Sequence, residues 1–237
     1  MWRKLPITSL TPFTFQDYPE HTACILWFSG CNMACGYCHN PELVKGTLAK
    51  LPHEKIERFL ASRRDRLEGV VLSGGECTLS SALPQFAGYL KNLDFKVKID
   101  TNGTRPEMIA GLLDAGLVDF IALDFKAPAV KFQAITGMSA WPDFLRSLRL
   151  VAAAATGKEL RTTVHADLLD RSDIETMISL LEDVGFRGTF VLQNFRMGRT
   201  LGNLKAPSQR LDLTGLAGAG LDIRFRNFPE AHGLVDS

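Results

Sequence analysis

Short apolar runs alternate with amphipathic stretches along most of the chain. Thr22 to Phe28 is apolar almost throughout and reads as the first clear strand. His53 to Arg64 sets Ile56, Phe59 and Leu60 on one face, which predicts a helix. A strand at Gly69 to Ser73, a helix from about Ser81 to Leu93 and a strand at Phe95 to Thr101 follow. The next helix, near Pro106 to Ala115, carries proline in its first turn, where a missing N–H costs nothing. A strand at Asp119 to Phe125 leads into a loop with Pro128 and Gly137, then a helix at about Trp141 to Ala155. The strand Glu159 to His165, a helix from about Asp173 to Val184 and the strand Gly188 to Gln193 complete the run. The tail from Leu201 is less regular, with Leu221 to Phe225 as a candidate edge strand.

Repeated β–α alternation predicts an α/β fold with a parallel sheet and helices outside it. Six such strands point to a partial, open (β/α)6 barrel rather than a closed eight-stranded one. The expected organisation is a single domain over residues 1–237, with its barrel core at about 20–195. Parallel strands buried on both faces read as unbroken apolar runs, and three strands here do not. Lys98 and Asp100 alternate with Val97 and Ile99; Asp124 and Lys126 with Leu123 and Phe125; Arg161, Thr163 and His165 with Leu160, Thr162 and Val164. Side chains two apart share a face, so the polar set can line a cavity while the apolar set packs under helices. A solvated sheet edge is the competing explanation. Charges also gather at strand C-terminal ends, where α/β barrels place their active sites.

The densest chemistry lies in Cys31-Asn32-Met33-Ala34-Cys35-Gly36-Tyr37-Cys38-His39-Asn40-Pro41. Three of the five cysteines fall within eight positions. Soft thiolates at this spacing select zinc or an iron–sulfur cluster over hard ions. A closed structural site normally has four ligands, so three thiolates leave one iron of a 4Fe–4S cluster open. Other readings are a zinc site completed by His39, buried free thiols, or a disulfide; the odd cysteine count argues against the last. Cys24, inside the first strand, reads as a small buried hydrophobe.

Cys31, Cys35, Tyr37 and Cys38 resemble the C-x3-C-x-aromatic-C signature of radical S-adenosylmethionine enzymes. The longer run from Asp17-Tyr18-Pro19 through Phe28-Ser29-Gly30 to His39-Asn40-Pro41-Glu42-Leu43 is similar to activases of glycyl radical enzymes. Among these it looks most like activating proteins of anaerobic ribonucleoside-triphosphate reductase. The resemblance covers roughly residues 7 to 201. It implies a 4Fe–4S cluster on Cys31, Cys35 and Cys38, S-adenosylmethionine on its open iron, and hydrogen removal from a glycine of a partner protein. It also places Tyr37 and Asn40 beside the cofactor.

Ser73-Gly74-Gly75-Glu76 follows a strand, and paired glycines let a ligand approach the backbone closely. The stretch resembles the family motif for the methionine amino group, with Glu76 as a carboxylate for the ammonium. Related activases often have proline after that glutamate, where this chain has Cys77. Asp100-Thr101-Asn102-Gly103 and Asp124-Phe125-Lys126 match further positions of the activases. There the first aspartate and the lysine lie by S-adenosylmethionine, and the two aspartates help hold a monovalent cation. An internal salt bridge from Lys126 to an aspartate is compatible with that role. Arg161 and His165 are further candidates for cofactor contacts; His39, Gln193 and Asn194 for shaping the loop and the cavity mouth.

Composition narrows the alternatives. The hydrophobic fraction, 46%, suffices for a core, and no apolar run reaches bilayer length. Met1-Trp2-Arg3-Lys4 is basic, but no apolar signal-peptide core follows. A cytoplasmic protein without a membrane or nucleic-acid partner is therefore expected, the net charge being +1. With no second cysteine cluster, electrons must come from an external donor such as flavodoxin or ferredoxin. The activase of a pyruvate formate-lyase-type enzyme, a small-molecule enzyme such as 7-carboxy-7-deazaguanine synthase, and a zinc-binding interaction module remain alternatives.

Overall fold

Residues 2–228 are described by the computed structural model. Its eight strands follow chain order in the sheet. They are β1 Ile7–Thr14, β2 Ala23–Phe28, β3 Gly69–Gly74, β4 Lys96–Thr101, β5 Phe120–Asp124, β6 Gly157–Val164, β7 Gly188–Asn194 and β8 Leu221–Arg226. The helices are α1 Pro41–Lys45, α2 His53–Ala61, α3 Leu83–Asn92, α4 Pro106–Asp114, α5 Ala129–Thr136, α6 Trp141–Ala153 and α7 Arg171–Asp183. The α/β class expected from the alternation is the one observed. The described residues fall into two compact units. One holds 2–32, 40–101 and 105–122; the other holds 33–39, 102–104 and 123–228.

In the first unit β1 runs antiparallel to β2, with Ile7 opposite Phe28 and Leu10 opposite Leu26. The pairs β2–β3 and β3–β4 are parallel. Leu26, Val70, Leu72, Val97 and Ile99 are fully buried. α3 buries Leu83, Phe86, Ala87 and Leu90, the i, i+3, i+4, i+7 stripe of an amphipathic helix. Each of the three large side chains, Leu83, Phe86 and Leu90, contributes about 1.5–3 kcal/mol by leaving water. In the second unit β6–β7 and β7–β8 are parallel. Phe125, Phe132, Trp141 and Phe144 pack there with ring centroids 5.0 to 6.1 Å apart. α7 begins with a reciprocal cap: Asp170 accepts from the Asp173 amide, and Asp173 accepts from the Asp170 amide.

Three elements were not expected. β1 carries Pro12 and two register shifts, so its alternation is broken. α1 has only five residues. α5 occupies the stretch read as a loop, and the residues behind that reading, Pro128 and Gly137, are its N-cap and C-cap. Gly137 takes φ 71°, the left-handed conformation that ends many helices. The candidate edge strand at Leu221 is present as β8.

Candidate active site

In the first unit, β2 runs through Ser29 and Gly30 to Cys31. The end of β3 lies directly against this exit. The Gly75 amide donates to the Phe28 carbonyl at 2.8 Å, and the Glu76 amide to the Gly30 carbonyl at 2.8 Å. A Cβ at Gly74 would overlap the Phe28 backbone, and one at Gly75 the Gly30 backbone. The glycine pair therefore has a structural cause that spacing alone did not suggest. It lets two strand ends close on each other.

Glu76 is buried, and its Oε1 accepts from the Thr78 amide (3.1 Å), the Thr78 hydroxyl (2.6 Å) and the Thr101 hydroxyl (2.8 Å). It caps the single 3-10 turn Cys77–Leu79 and ties it to the end of β4. Thr101 thus acts through Glu76 in this arrangement. Asp100 accepts from Lys98 Nζ at 2.8 Å, and Lys98 is only 1% exposed. Two residues apart on one strand, they share a face, as the alternation implied. The Lys98 ammonium also lies 5.7 Å from the Phe120 ring centroid. Cys77 is fully buried and donates to the Asp100 carbonyl at 3.5 Å. Burial, then the carboxylates of Glu76 and Asp100, push its thiol well up. Cys24 is also buried, its thiol pushed up to about 12 by burial. Both stay protonated and inert at neutral pH.

In the second unit, the Cys35–His39 loop is tied down by backbone. The Cys38 amide donates to the Cys35 carbonyl (3.0 Å), which makes a tight turn. Just ahead of it, the Ala34 amide donates to the Thr136 carbonyl at the end of α5 (2.8 Å). From the tail, the Leu201 amide donates to the Cys38 carbonyl (2.9 Å) and the Gly202 amide to the Gly36 carbonyl (2.8 Å). The irregular tail was not expected to reach this loop, and no motif in it signals the contact.

Tyr37 is buried, and its hydroxyl has no partner in hydrogen-bond geometry. Burial pushes its proton affinity far up. Lys126 Nζ lies 5.8 Å from the Tyr37 ring centroid and donates to Asp124 Oδ2 at 2.9 Å. Burial penalises the ammonium, but Asp124, with Tyr37 and Cys35 behind it, outweighs this and holds Lys126 charged well above its usual range. Burial likewise raises the Cys35 thiol, while Lys126 pulls it back. Arg161 grips the other oxygen of Asp124, with Nε at 3.0 Å and a terminal nitrogen at 2.9 Å. The alternation on β5 and β6 thus brings Asp124, Lys126 and Arg161 together.

His165 is placed otherwise. It is buried, Nδ1 accepts from the Asp167 amide at 3.3 Å, and Nε2 faces the Lys205 carbonyl at 3.0 Å. With Nδ1 accepting, the proton sits on Nε2. Its ring packs on Phe195 at 4.8 Å, and Phe195 stacks on His39 at 5.7 Å. His165 is therefore occupied in holding the tail. Asn40 sits at the N-cap of α1 without a side-chain cap bond, and Asn194 donates to the Asn227 carbonyl.

None of the five cysteines is in a disulfide. Among the described residues, no three His, Cys, Asp or Glu side chains are grouped so as to hold a single metal ion. The fit of any cluster therefore rests on donor chemistry: three thiols within eight positions of the sequence, none in a disulfide, and between Cys35 and Cys38 a buried Tyr37 whose hydroxyl has no partner in hydrogen-bond geometry.

The Radical SAM superfamily model matches residues 25–184, two thirds of the chain. The chain belongs to the radical SAM superfamily. A protein of Methanocaldococcus jannaschii with the provisional name glycyl-radical enzyme activating enzyme is 30% identical over 190 residues, 76% of this chain and 77% of its own. The 7-carboxy-7-deazaguanine synthase of Methanopyrus kandleri is 26% identical over 231 residues, 88% of this chain and 84% of its own. Streptococcus suis SuiB bound to S-adenosylmethionine has the same fold, with a TM-score of 0.61 at 15% identity over 77% of this chain. The chain spans 44% of that SuiB chain. Membership makes this a radical SAM enzyme, a class that uses an iron–sulfur cluster and S-adenosylmethionine. Among the described residues no helix is long and apolar enough to cross a membrane.

Proposed function

We propose that this chain activates a glycyl radical enzyme, with an anaerobic ribonucleoside-triphosphate reductase as its partner. The observation that carries the reading is the 30% identity, over three quarters of both chains, to a protein named for glycyl radical activation. Cys31, Cys35 and Cys38 are assigned as the three ligands of a 4Fe–4S cluster, because they are the thiols of the family signature and none is in a disulfide. Bound there, cluster and S-adenosylmethionine together supply one-electron chemistry that removes a hydrogen atom from glycine.

The chain's own residues bind and orient. Lys126 stays an ammonium at neutral pH, so it donates hydrogen bonds and cannot act as a base. Asp124 fixes that ammonium, and Arg161 fixes Asp124. Gly74, Gly75 and Glu76 present backbone around the exit of β2, where the methionine end of S-adenosylmethionine is assigned. Asp100 and Asp124 are assigned to a monovalent cation beside it. Tyr37 and Asn40 are placed next to the cofactor, and an external flavodoxin or ferredoxin supplies the electron.

The test mixes the anaerobic, reconstituted protein with the reductase, S-adenosylmethionine and a reductant. Electron paramagnetic resonance should show a doublet from a glycyl radical, and the reductase Gly→Ala variant should abolish it. A silent reductase alongside an activated pyruvate formate-lyase-type enzyme would keep the chemistry and change the partner. The similarity to 7-carboxy-7-deazaguanine synthase favours a second reading. Turnover of a small molecule to 7-carboxy-7-deazaguanine with no protein radical would establish it in place of the first.

A further inference from the structure

Tyr37 stands between two of the signature cysteines, in a turn held by its backbone. The Cys38 amide donates to the Cys35 carbonyl at 3.0 Å. The tail forms a strap over the turn, its Leu201 and Gly202 amides bonding the Cys38 and Gly36 carbonyls. A Cβ at Gly202 would fall 2.9 Å from the Gly36 Cα, so strap and turn touch directly. The turn thus keeps its shape without using the side chains of Cys35 and Tyr37. Cys35 is buried, while Cys31 and Cys38 are only partly so. Tyr37 is buried as well, and among the described residues its hydroxyl meets no partner in hydrogen-bond geometry. A phenol that gives up water on folding and finds nothing in exchange is costly. A buried orphan of this kind calls for an acceptor that arrives with a ligand.

The neighbouring groups narrow that acceptor to one sulfur. Lys126 Nζ lies 5.8 Å from the Tyr37 ring centroid, and an ammonium donates but cannot accept. Asp124 is engaged on both oxygens, by Lys126 on one and by Arg161 on the other. Cys35 remains. Burial raises its thiol, and Lys126 and then the Tyr37 hydroxyl pull it back, so the hydroxyl already stands close enough to favour the thiolate. A thiol sulfur is a weak acceptor, and a thiolate is a much stronger one. We propose that the Tyr37 hydroxyl donates a hydrogen bond to the Cys35 sulfur when that sulfur is a thiolate ligand of the cluster, and so raises the cluster's reduction potential. The inference rests on the cluster assignment above, and Tyr37 acts through Cys35 as a positioning residue. A donor on a ligand thiolate draws charge from the iron and favours the reduced cluster. The Lys126 ammonium works in the same direction, since positive charge nearby also favours an added electron.

The test uses Tyr37→Phe, which removes the hydroxyl and keeps the ring, in both the loaded protein and the apoprotein. The anaerobically reconstituted cluster is titrated with dithionite and redox dyes, without S-adenosylmethionine, and followed by electron paramagnetic resonance. At a fixed ambient potential the ratio of oxidised to reduced cluster should rise about tenfold in the variant, a downward shift of about 59 mV for one electron. Resonance Raman bands of the iron–thiolate stretches should move in D2O for wild type and move less for the variant. In the apoprotein the same substitution should leave the urea midpoint at or above that of wild type, because it deletes a donor with no partner there. A purely structural role gives the reverse, a lower midpoint with an unchanged potential, and overturns the proposal. An unchanged potential with weakened S-adenosylmethionine binding also overturns it and assigns the hydroxyl to that cofactor. Wild-type protein that takes up no iron overturns the cluster reading itself, whereas iron in both proteins at equal potentials overturns this proposal alone.

Discussion

The two units hold their candidate site residues by opposite means. In the first, polar side chains are consumed by one another: one oxygen of Glu76 meets three donors, and Asp100 meets a lysine that is 1% exposed. In the second, the cysteine turn is fastened through backbone, by the Thr136 carbonyl on one side and the Leu201 and Gly202 amides on the other. Backbone fastening fixes a loop without spending its side chains. A loop meant to offer thiols gains from that, whereas a loop meant to hold a shape can use its carboxylates internally. The glycines show the same contrast. Gly74 and Gly75 admit the chain's own strand end, and Gly202 admits the cysteine loop.

The comparison breaks most sharply at the thiols. Cys31→Ala, Cys35→Ala or Cys38→Ala should drop reconstituted iron from about four atoms per chain to none, whereas Cys24→Ala and Cys77→Ala should retain it. Iron analysis with the visible absorption spectrum reads both. Stoichiometric zinc in place of iron would remove the loop from redox chemistry altogether.

Next come the ion pairs. Asp100→Ala takes a bonded carboxylate from the buried Lys98 and should cost roughly 3–5 kcal/mol of unfolding free energy, measured by urea denaturation of the apoprotein. Lys126→Ala leaves Asp124 with Arg161 and should cost less, while weakening S-adenosylmethionine binding in calorimetry by more than tenfold, the worth of one charged hydrogen bond at about 1.5–3 kcal/mol. Equal effects of the two variants on stability and none on binding would erase the contrast between units. Gly202→Ala should cost about 1–3 kcal/mol as the strap is pushed off Gly36, and air should bleach the reconstituted cluster faster. Unchanged bleaching would mean the strap does not brace the cysteine turn.

The smallest effect is in acid. The Ser172 hydroxyl and the Asp173 amide hold the Asp170 carboxyl down at about 2, against its usual 3.8. A depressed carboxylate stabilises the fold above its unfolded value and loses that contribution as pH falls through the folded one. The capping share of α7 should therefore fade between about pH 4 and pH 2. Asp170→Asn should flatten that part of the stability curve by circular dichroism. An unaltered acid limb would show that the cap is silent.

Strands β2 to β7 were legible within one or two residues, because apolar runs bounded by helix signals are local properties. Three elements, β1, the five-residue α1 and α5, were not. β1 is stabilised by its register against β2, although Pro12 and two shifts spoil its own pattern. α5 lies between a proline and a glycine that serve as caps, so breaker residues concealed a helix. The site was legible in part. Asp124, Lys126 and Arg161 were drawn together by side-chain alternation and do meet. His165, with the same alternation behind it, turned out to be spent on the Lys205 carbonyl and Phe195.

By itself the sequence determined the α/β class, the cysteine loop at the end of a strand, and the polar faces of three strands. Each follows from periodicity or spacing within a few residues, which the backbone geometry of a strand or helix converts directly into position. Only the tertiary structure decided what each polar group is committed to. That Glu76 serves two threonines, and that the tail straps the cysteine turn 163 residues after Cys38 at Leu201, depends on long-range contacts. Such contacts leave no periodic trace, because a backbone amide can bond a distant carbonyl whatever side chain it carries.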